Sequence, residues 1–500
     1  MLLRQLVAPL IKHKRIDCKG IDFNDVEILS VTADSRKVTP GALFIAIRGN
    51  TVDGHTFLAE SARKGAAAAL VEEAHPDLGI PQIVVPDTRF ASAVVASVFY
   101  RHPSRRLQMI GVTGTNGKTT VTHLIETILQ AAGYKTGLYG TIGKRIDGKT
   151  VDVVNTTPEA VELQGILHEM VEAGCSHGIM EVSSHALELH RVAGTRYHIG
   201  VFTNLTQDHL DFHGTMENYR AAKGKLFSRL GNEYGDDTRG SAYAVLNADD
   251  PAFEYLRQQT VAECITYAID TEADVWARNV HVRAEGVSFD VCTFAGDEHV
   301  QLDMTGRFNV YNALAAISVA LVEGVPLAVA VKALQSVRGI PGRFEKVSAG
   351  QPYTVLVDYS HTPDSLENAL LTVREFATGN VITVVGCGGD RDKGKRPLMA
   401  QIAARYSDQF ILTSDNPRTE DPEAILDDME AGLVGMDARY DRIVDRKQAI
   451  EAAIQRAAAG DVVLIAGKGH ETYQIVGTEK FHFDDREVAR AAILQSLQSS

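Results

Sequence analysis

The sequence predicts an α/β protein built as three domains. Three observations lead there. A chain of 500 residues suits about three domains at roughly 150 residues apiece. After residue 338, apolar strands alternate with helical stretches, the pattern of a parallel sheet with helices on its faces. Near residue 107 a strand runs through a glycine-rich loop into a helix, as at a phosphate-binding turn. The domains are expected at 1–106, 107–337 and 338–500, with the polar stretch "RHPSRR" ending the first and "GIPGRFEKV" opening the third. Hydrophobic residues at 45% and charged residues at 23% are the balance of an ordinary globular protein.

In the first domain, "VTADSRKVTPGALFIAIRGNTVDGHTFLAESARKGAAAALVEE" reads as a strand, a Pro-Gly turn, a second strand, a loop and a helix. In the second, Leu107 to Val112 is a short apolar strand, and Val121, Leu124, Ile125, Ile128 and Leu129 recur at helical spacing up to Gly133. Between them lies Gly114-Thr115-Asn116-Gly117-Lys118-Thr119-Thr120. The common phosphate loop, G-x-x-x-x-G-K-[ST], needs glycine at 112, where this chain has Val112. The mechanics survive the displacement, because free N–H groups and the helix dipole still favour an anion at the helix start. Lys118 would reach the β- and γ-phosphates of a nucleotide and Thr119 would hold Mg²⁺; the alternative is an ordinary glycine-rich turn. The domain closes with the helix "NVYNALAAISVALVEG".

In the third domain the strands are "TVLVDYS", "VITVVGCGG", "QFILTSD" and "DVVLIAGKG". They run into the polar loops "DYSHTPD", "GCGGDRDKGKR", "SDNPRTEDP" and "GKGHETY". Ligands of open α/β sheets bind at the carboxyl ends of strands, so these four loops are expected to share one crevice. Taken singly, each also reads as a solvated turn. "GCGGD" does not complete a G-x-G-x-x-G dinucleotide pattern.

Lys and Arg total 50 against 64 Asp and Glu, a net charge of −14, which argues against nucleic acid as the main partner. "MLLRQLVAPLIKHKR" lacks the apolar centre of a signal peptide, and no apolar run reaches the length of a membrane span. Five scattered cysteines, at 18, 175, 264, 292 and 387, suggest a reduced cytoplasmic protein without disulfides or a zinc pattern.

Two further stretches of the middle domain carry candidate chemistry. "GIMEVSSHALELHRV" begins as a buried strand and reaches Glu181, a carboxylate positioned to hold Mg²⁺ beside bound phosphates. "VFTNLTQDHLDFHG" packs Asp208, His209, Asp211 and His213 into six residues, either a metal cluster or, by preference, a polar loop. Lys223, in "YRAAKGKLF", reads as a solvated helix lysine.

Together "GTNGKTT", "NTTP", "MEVSSHAL", "FTNLTQDHLDFHG", "AAK", "GRFNVYNALAA", "GRFE", "DYSHTPDSL", "GCGGDRDKGKRP", "DNPRTEDP" and "GKGHETYQ" resemble, in order and over nearly the whole chain, the Mur ligases. These are ATP-dependent amide-forming enzymes of bacterial cell-wall precursor synthesis. Within the family the chain is most similar to the members that add the third amino acid of the stem peptide, and "DNPR" at 415–418 is like that of members using meso-2,6-diaminopimelate. The displaced glycine then belongs to the family's shorter G-x-x-G-K-[ST]-[ST] loop.

The resemblance implies an N-terminal α/β domain for a UDP-linked substrate, a central P-loop domain and a C-terminal Rossmann-like domain. It implies that Gly114 to Thr120, Asn312, Arg343 and Asp358 bind ATP, with His361 helping to hold the same region. Thr119 and Glu181 would serve one Mg²⁺, and His209 and Lys223 a second, the lysine carrying a CO₂-derived carbamate. Lys118, Lys223, His209 and Glu181 would be the catalytic set. Ser35 and Asn50-Thr51-Val52 would surround the uracil of UDP-N-acetylmuramoyl-L-Ala-D-Glu, while Thr156, Thr157, Ser183 and Arg191 would hold its remainder. Arg391, Asp415, Asn416, Pro417, Arg418, Gly467 and Glu471 would form the diaminopimelate site. Leu189 stands where some relatives have a substrate-touching glutamine, and Ser360 replaces the alanine of the family's "DYAHTP". A cytoplasmic monomer is expected.

The implied specificity has a physical basis: diaminopimelate differs from lysine by a second carboxylate, which a planar guanidinium binds in bidentate fashion. Arg418 suits that task, with Arg391 a second candidate and Asp415, Asn416 and Glu471 available to the distal ammonium; the plainer reading of Arg418 is a surface ion pair. Two other functions fit parts of the sequence: a folylpolyglutamate-type ligase, against which "DNPR" and the N-terminal "DSR" argue, and a GTPase switch, which requires an N-K-x-D segment that is not found.

Overall fold

The computed structural model describes residues 1–16, 23–49, 52–153, 155–231 and 241–499. Its strands form three main sheets and a small two-stranded hairpin. The first sheet has five strands, in the order Lys14–Ile16, Gln82–Val84, Ala68–Val71, Ala42–Ile45, Ser30–Thr32, and all but the first are parallel. Its central strands are buried on both faces, which explains why "ALFI" and "AALV" read as unbroken apolar runs.

The second sheet has eleven strands. At its centre Gln108–Thr113 lies between Ile199–Phe202 and His177–Glu181, parallel to both. The chain leaves this central strand to one side and later returns to the other, a topological switch point, so a crevice opens at its carboxyl end. The helix Lys118–Ala131 covers one face and packs against Arg307–Val322, burying Val121, Leu124, Ile125, Ile128 and Leu129. An antiparallel meander, Val275–Arg283, Gly286–Thr293 and Gly296–Leu302, extends one edge of the sheet. Its alternating buried and exposed residues mark a sheet with one wet face.

The third sheet runs Glu345–Lys346, Thr354–Asp358, Val462–Ala466, Val381–Cys387, Gln409–Ser414, Tyr440–Arg442, parallel apart from the first pair. Val462–Ala466, the last of the parallel strands in sequence, inserts between the first two, so the loops after four neighbouring strands emerge at one end. Helix starts there are locally encoded. Thr362 caps Pro363–Phe376 by accepting from the Ser365 amide at 3.3 Å, and Pro363 occupies a position where a missing N–H costs nothing.

Among the described residues no helix is long and apolar enough to cross a membrane. Cys175, Cys264, Cys292 and Cys387 are free thiols, and Cys18 lies outside the described residues.

Candidate active site

The phosphate loop has the backbone its glycines permit. Gly114 sits at φ +151°, and a Cβ there would lie 1.8 Å from Thr203 Oγ1, so no other residue fits without moving the loop. Thr203 in turn donates to the Asn116 carbonyl at 2.6 Å, and the Asn116 amide donates to Asn204 Oδ1 at 2.9 Å. The strand that follows the switch point therefore braces the loop. Asn312 also faces it, with Oδ1 2.5 Å from where a Gly117 Cβ would be.

Two lysines from different helices end on one loop carbonyl. Lys118 Nζ donates to Gly114 O at 2.9 Å and to Thr115 O at 2.8 Å, while Lys223 Nζ donates to Gly114 O at 2.8 Å. The solvated lysine read from the sequence is thus corrected: Lys223 is 1% exposed. The helix Met216–Phe227 is weakly amphipathic, and its inward face is recognisable only once the loop is packed against it. Burial first, and the charge of Lys118 second, push the Lys223 ammonium well below its ordinary range. No carboxylate forms an ion pair with it among the described residues; its other neighbour is the Tyr219 ring, 4.3 Å from Nζ to centroid. Burial also lowers the Lys118 ammonium.

Glu181 ends its strand in register with Val112 and is 1% exposed. Its two oxygens accept from the Thr141 amide at 2.7 Å and the Thr141 hydroxyl at 3.1 Å. The Thr119 hydroxyl accepts from Arg343 Nη2 at 3.0 Å. His209 adopts a left-handed backbone, φ +55°, with Nε2 3.3 Å from Asp208 Oδ2. Burial outweighs the Asp208 charge and lowers the imidazole to about 4, so His209 is neutral near pH 7, the form able to ligate a metal. The surrounding sequence cluster does not converge on one point. His213 turns to the Ser184 hydroxyl at 3.0 Å, and Asp211 is exposed. Among the described residues no three or more His, Cys, Asp or Glu side chains group as a metal cage. Mg²⁺ needs no such cage, because it is commonly held by one or two carboxylates, waters and substrate phosphates. The Glu181 carboxylate and the Thr119 hydroxyl are oxygen donors of that kind, whereas His209 offers a nitrogen.

The phosphate loop, Glu181, His209, Asn312, Arg343 and Asp358 line one cleft of about 590 Å³ between the second and third sheets. Arg343 stacks on Tyr359, 4.8 Å to the ring, and its buried Nε has no partner among the described residues, which suits an anion. Asp358 accepts from the Phe344 amide at 2.7 Å and bonds Ser360. The substituted serine is therefore accommodated by the loop. His361 accepts Lys395 Nζ on its carbonyl at 2.9 Å. Asp364, which the sequence presents only as a first-turn helix acid, takes Asn116 Nδ2 and the Thr206 hydroxyl at 2.7 Å each, tying the third domain to the phosphate loop.

Thr156 and Ser183 line the same cleft. Thr157 joins them from behind: its hydroxyl donates to Glu181 O at 2.9 Å, and its carbonyl accepts from Arg191 Nη1 at 3.0 Å. Ser35 and Val52 lie apart from this cleft in the first domain. Ser35 accepts Lys64 Nζ on its carbonyl at 2.9 Å, Val52 is 52% exposed, and Asn50 and Thr51 lie outside the described residues.

The four loops of the third sheet do meet. The Gly389 amide donates to Asn416 O at 2.9 Å, and a Cβ on Gly389 would come within 1.9 Å of Pro417 O, so the last glycine of "GCGG" permits the close approach. Arg418 Nη1 donates to Gly389 O at 2.8 Å and has no carboxylate partner among the described residues, against its reading as a surface ion pair. Gly467 donates to Asp358 O at 3.0 Å and lies against Asp415. Asn416 Nδ2 donates to Glu471 Oε2 at 2.8 Å. Arg391 is exposed, and its guanidinium donates to Asp390 O at 2.9 Å. Sequence reading missed Arg396 and Lys468, both fully buried; Arg396 binds Glu420 and Asp428 and holds the second and third loops together.

Comparison with known proteins identifies the family. Residues 27–100 match the Mur ligase family catalytic domain, 112–320 the Mur ligase middle domain, and 342–469 the Mur ligase glutamate ligase domain. The chain is 54% identical over 467 residues to a UDP-N-acetylmuramoyl-L-alanyl-D-glutamate--2,6-diaminopimelate ligase of Geobacillus thermodenitrificans (strain NG80-2), covering 93% of this chain and 95% of that one. It is 51% identical over 473 residues to the enzyme of the same name from Bacillus cereus (strain ATCC 14579), covering 95% of each. A solved structure of such a ligase superposes with a TM-score of 0.70 at 33% identity, over 99% of both chains. The chain belongs to the Mur ligase family.

Proposed function

We propose that this protein is an ATP-dependent ligase that joins meso-2,6-diaminopimelate to the D-Glu γ-carboxylate of UDP-N-acetylmuramoyl-L-Ala-D-Glu in the cytoplasm. The observation that carries the reading is the convergence of Lys118 and Lys223 on the phosphate loop beside Glu181, together with Arg418 among the loops at the carboxyl end of the third sheet. The relatives named above support the same assignment.

A carboxylate is a poor acceptor for an amine, so it is first activated. The γ-phosphoryl of ATP passes to the γ-carboxylate, giving an acyl phosphate and ADP. The diaminopimelate amine attacks the acyl carbon, and the tetrahedral intermediate expels phosphate to leave the amide. The chain contributes positioning and charge. The loop amides and Lys118 grip the phosphates, and a phosphate beside Lys118 restores the ammonium that burial disfavours. Arg343, Asn312 and Asp358 hold the nucleotide; Thr156, Thr157, Ser183 and Arg191 hold the acceptor. Thr119 and Glu181 would bind one Mg²⁺, and His209 with carbamylated Lys223 a second, supplying charge neutralisation at the phosphoryl oxygens. A buried Lys223 whose ammonium form is disfavoured suits that modification, since only the free amine adds to CO₂, losing a proton to become an anion. The amino-acid crevice and the phosphate loop lie on different domains, so closure is expected to complete the site.

The test is phosphate release from ATP and Mg²⁺ with UDP-N-acetylmuramoyl-L-Ala-D-Glu, comparing meso-diaminopimelate, L-lysine and no amino acid. Release only with diaminopimelate, together with the UDP-tripeptide, is expected. Release with lysine instead would overturn the specificity, and no release with either would overturn the substrate.

A further inference from the structure

Lys468 follows the strand Val462–Ala466 and is fully buried, yet it ends in an amine rather than an apolar group. Burying an unpaired charge is costly, so its partners reveal what it is for. Nζ lies 3.0 Å from Asn416 Oδ1 and 3.1 Å from Glu471 Oε2. Both partners belong to the amino-acid crevice proposed above. The Ile475 amide also donates to Asn416 Oδ1, at 2.9 Å. Two donors on one side of the amide require its carbonyl there and turn its NH₂ outward, where it meets Glu471 Oε2 at 2.8 Å. Lys468 and Asn416 thus approach the same carboxylate oxygen, neither uses Oε1, and the Tyr473 hydroxyl also hydrogen-bonds the Glu471 carboxylate.

We propose that Lys468 is a positioning residue for amino-acid recognition: it locks the Asn416 amide and the Glu471 carboxylate in the orientation that presents Glu471 Oε1 to the incoming ammonium. Its charge also balances the crevice. With Arg418 it sets two cations against Asp415 and Glu471, a neutral surround matched to a distal group carrying one ammonium and one carboxylate. This inference rests on the ligase reading and adds to it a residue that need not touch substrate.

The experiment measures KM for meso-diaminopimelate and for ATP in wild type, Lys468→Met, Lys468→Gln, Glu471→Gln and the Lys468→Met/Glu471→Gln double variant. Lys468→Met is expected to raise the diaminopimelate KM roughly tenfold or more, with the ATP KM within about twofold, because hydrogen bonds to charged groups are at stake. Lys468→Gln, which keeps a donor, is expected to recover part of the loss. On the Glu471→Gln background Lys468→Met is expected to add little, the signature of two residues acting through one contact. Equal rises in both KM values, no rise, or multiplying effects of the two substitutions would overturn the role. Should Lys468→Met not fold, Lys468→Gln against Glu471→Gln decides the same question: a diaminopimelate KM unchanged in Lys468→Gln while raised in Glu471→Gln overturns the role. Wild type separates the two ideas: no product with diaminopimelate removes the ligase reading, whereas normal product with an indifferent Lys468 removes only this one.

Discussion

Arg418→Ala is the substitution that most directly tests what the third-domain loops recognise. The guanidinium is held from one side by the Gly389 carbonyl, and its backbone is pinned by the Arg418 amide on Ile475 O at 3.0 Å and the Gly477 amide on Arg418 O at 2.6 Å. Nε and Nη2 remain for a planar bidentate partner, and no protein carboxylate supplies one among the described residues. A bidentate pair contributes two charge-assisted hydrogen bonds. At about 1.5 kcal/mol each, their loss costs about 3 kcal/mol, or a little over 100-fold in kcat/KM. The assay is coupled phosphate release with meso-diaminopimelate varied at saturating ATP and UDP-dipeptide. Because Arg418 lies away from the nucleotide cleft, the ATP KM should stay within about twofold. L-Lysine has no distal carboxylate to lose, so whatever turnover it supports should change far less, and the preference for diaminopimelate should collapse. A diaminopimelate kcat/KM within threefold of wild type would refute the argument. An equal fall for both amino acids would show that Arg418 supports the loop rather than reading the substrate.

Other substitutions probe the remaining parts. Gly114→Ala would set a methyl group on Thr203 Oγ1; strain and overpacking of about 2–4 kcal/mol should raise the ATP KM and lower the thermal midpoint, with Thr203→Ala relieving part of both. Unchanged values would remove the close-approach argument. Lys223→Ala should lose roughly 100-fold or more in turnover and regain some with added short-chain carboxylic acid, whereas an active, acid-indifferent variant would contradict the carbamate. Away from the site, Glu323 is buried between His177 and His198, at 3.2 and 3.3 Å. Burial alone would raise its carboxyl, but the two histidines bring it from 4.5 down to about 2. A depressed acid stabilises the fold above pH 4.5 and loses that contribution as pH falls toward 2, about 3 kcal/mol in all. Glu323→Gln should therefore be less stable at pH 7, with the gap narrowing as pH falls below 4.5 and closing only near pH 2, in urea unfolding; a constant gap would refute the linkage.

The sequence by itself determined the parts whose signal is local. The phosphate loop was legible because strand, glycines and helix start are contiguous. The four strands of the third sheet announce themselves as apolar runs ending in polar loops. Arg418 could be nominated from guanidinium chemistry once the family resemblance was seen, since "DNPR" sits at a strand's carboxyl end. What only the tertiary structure decided is which charges are buried and with whom. Lys223 looks solvated because helical periodicity around it is weak; it is buried because another element's carbonyl, more than 100 residues earlier in the chain, closes over it. Asp364 looks like a helix-start acid until the phosphate loop docks on it, and Lys468 looks like a turn lysine until Asn416 and Glu471 surround it. Burial and partnership of a charge depend on contacts distant in sequence, and residue type and spacing record only the near ones.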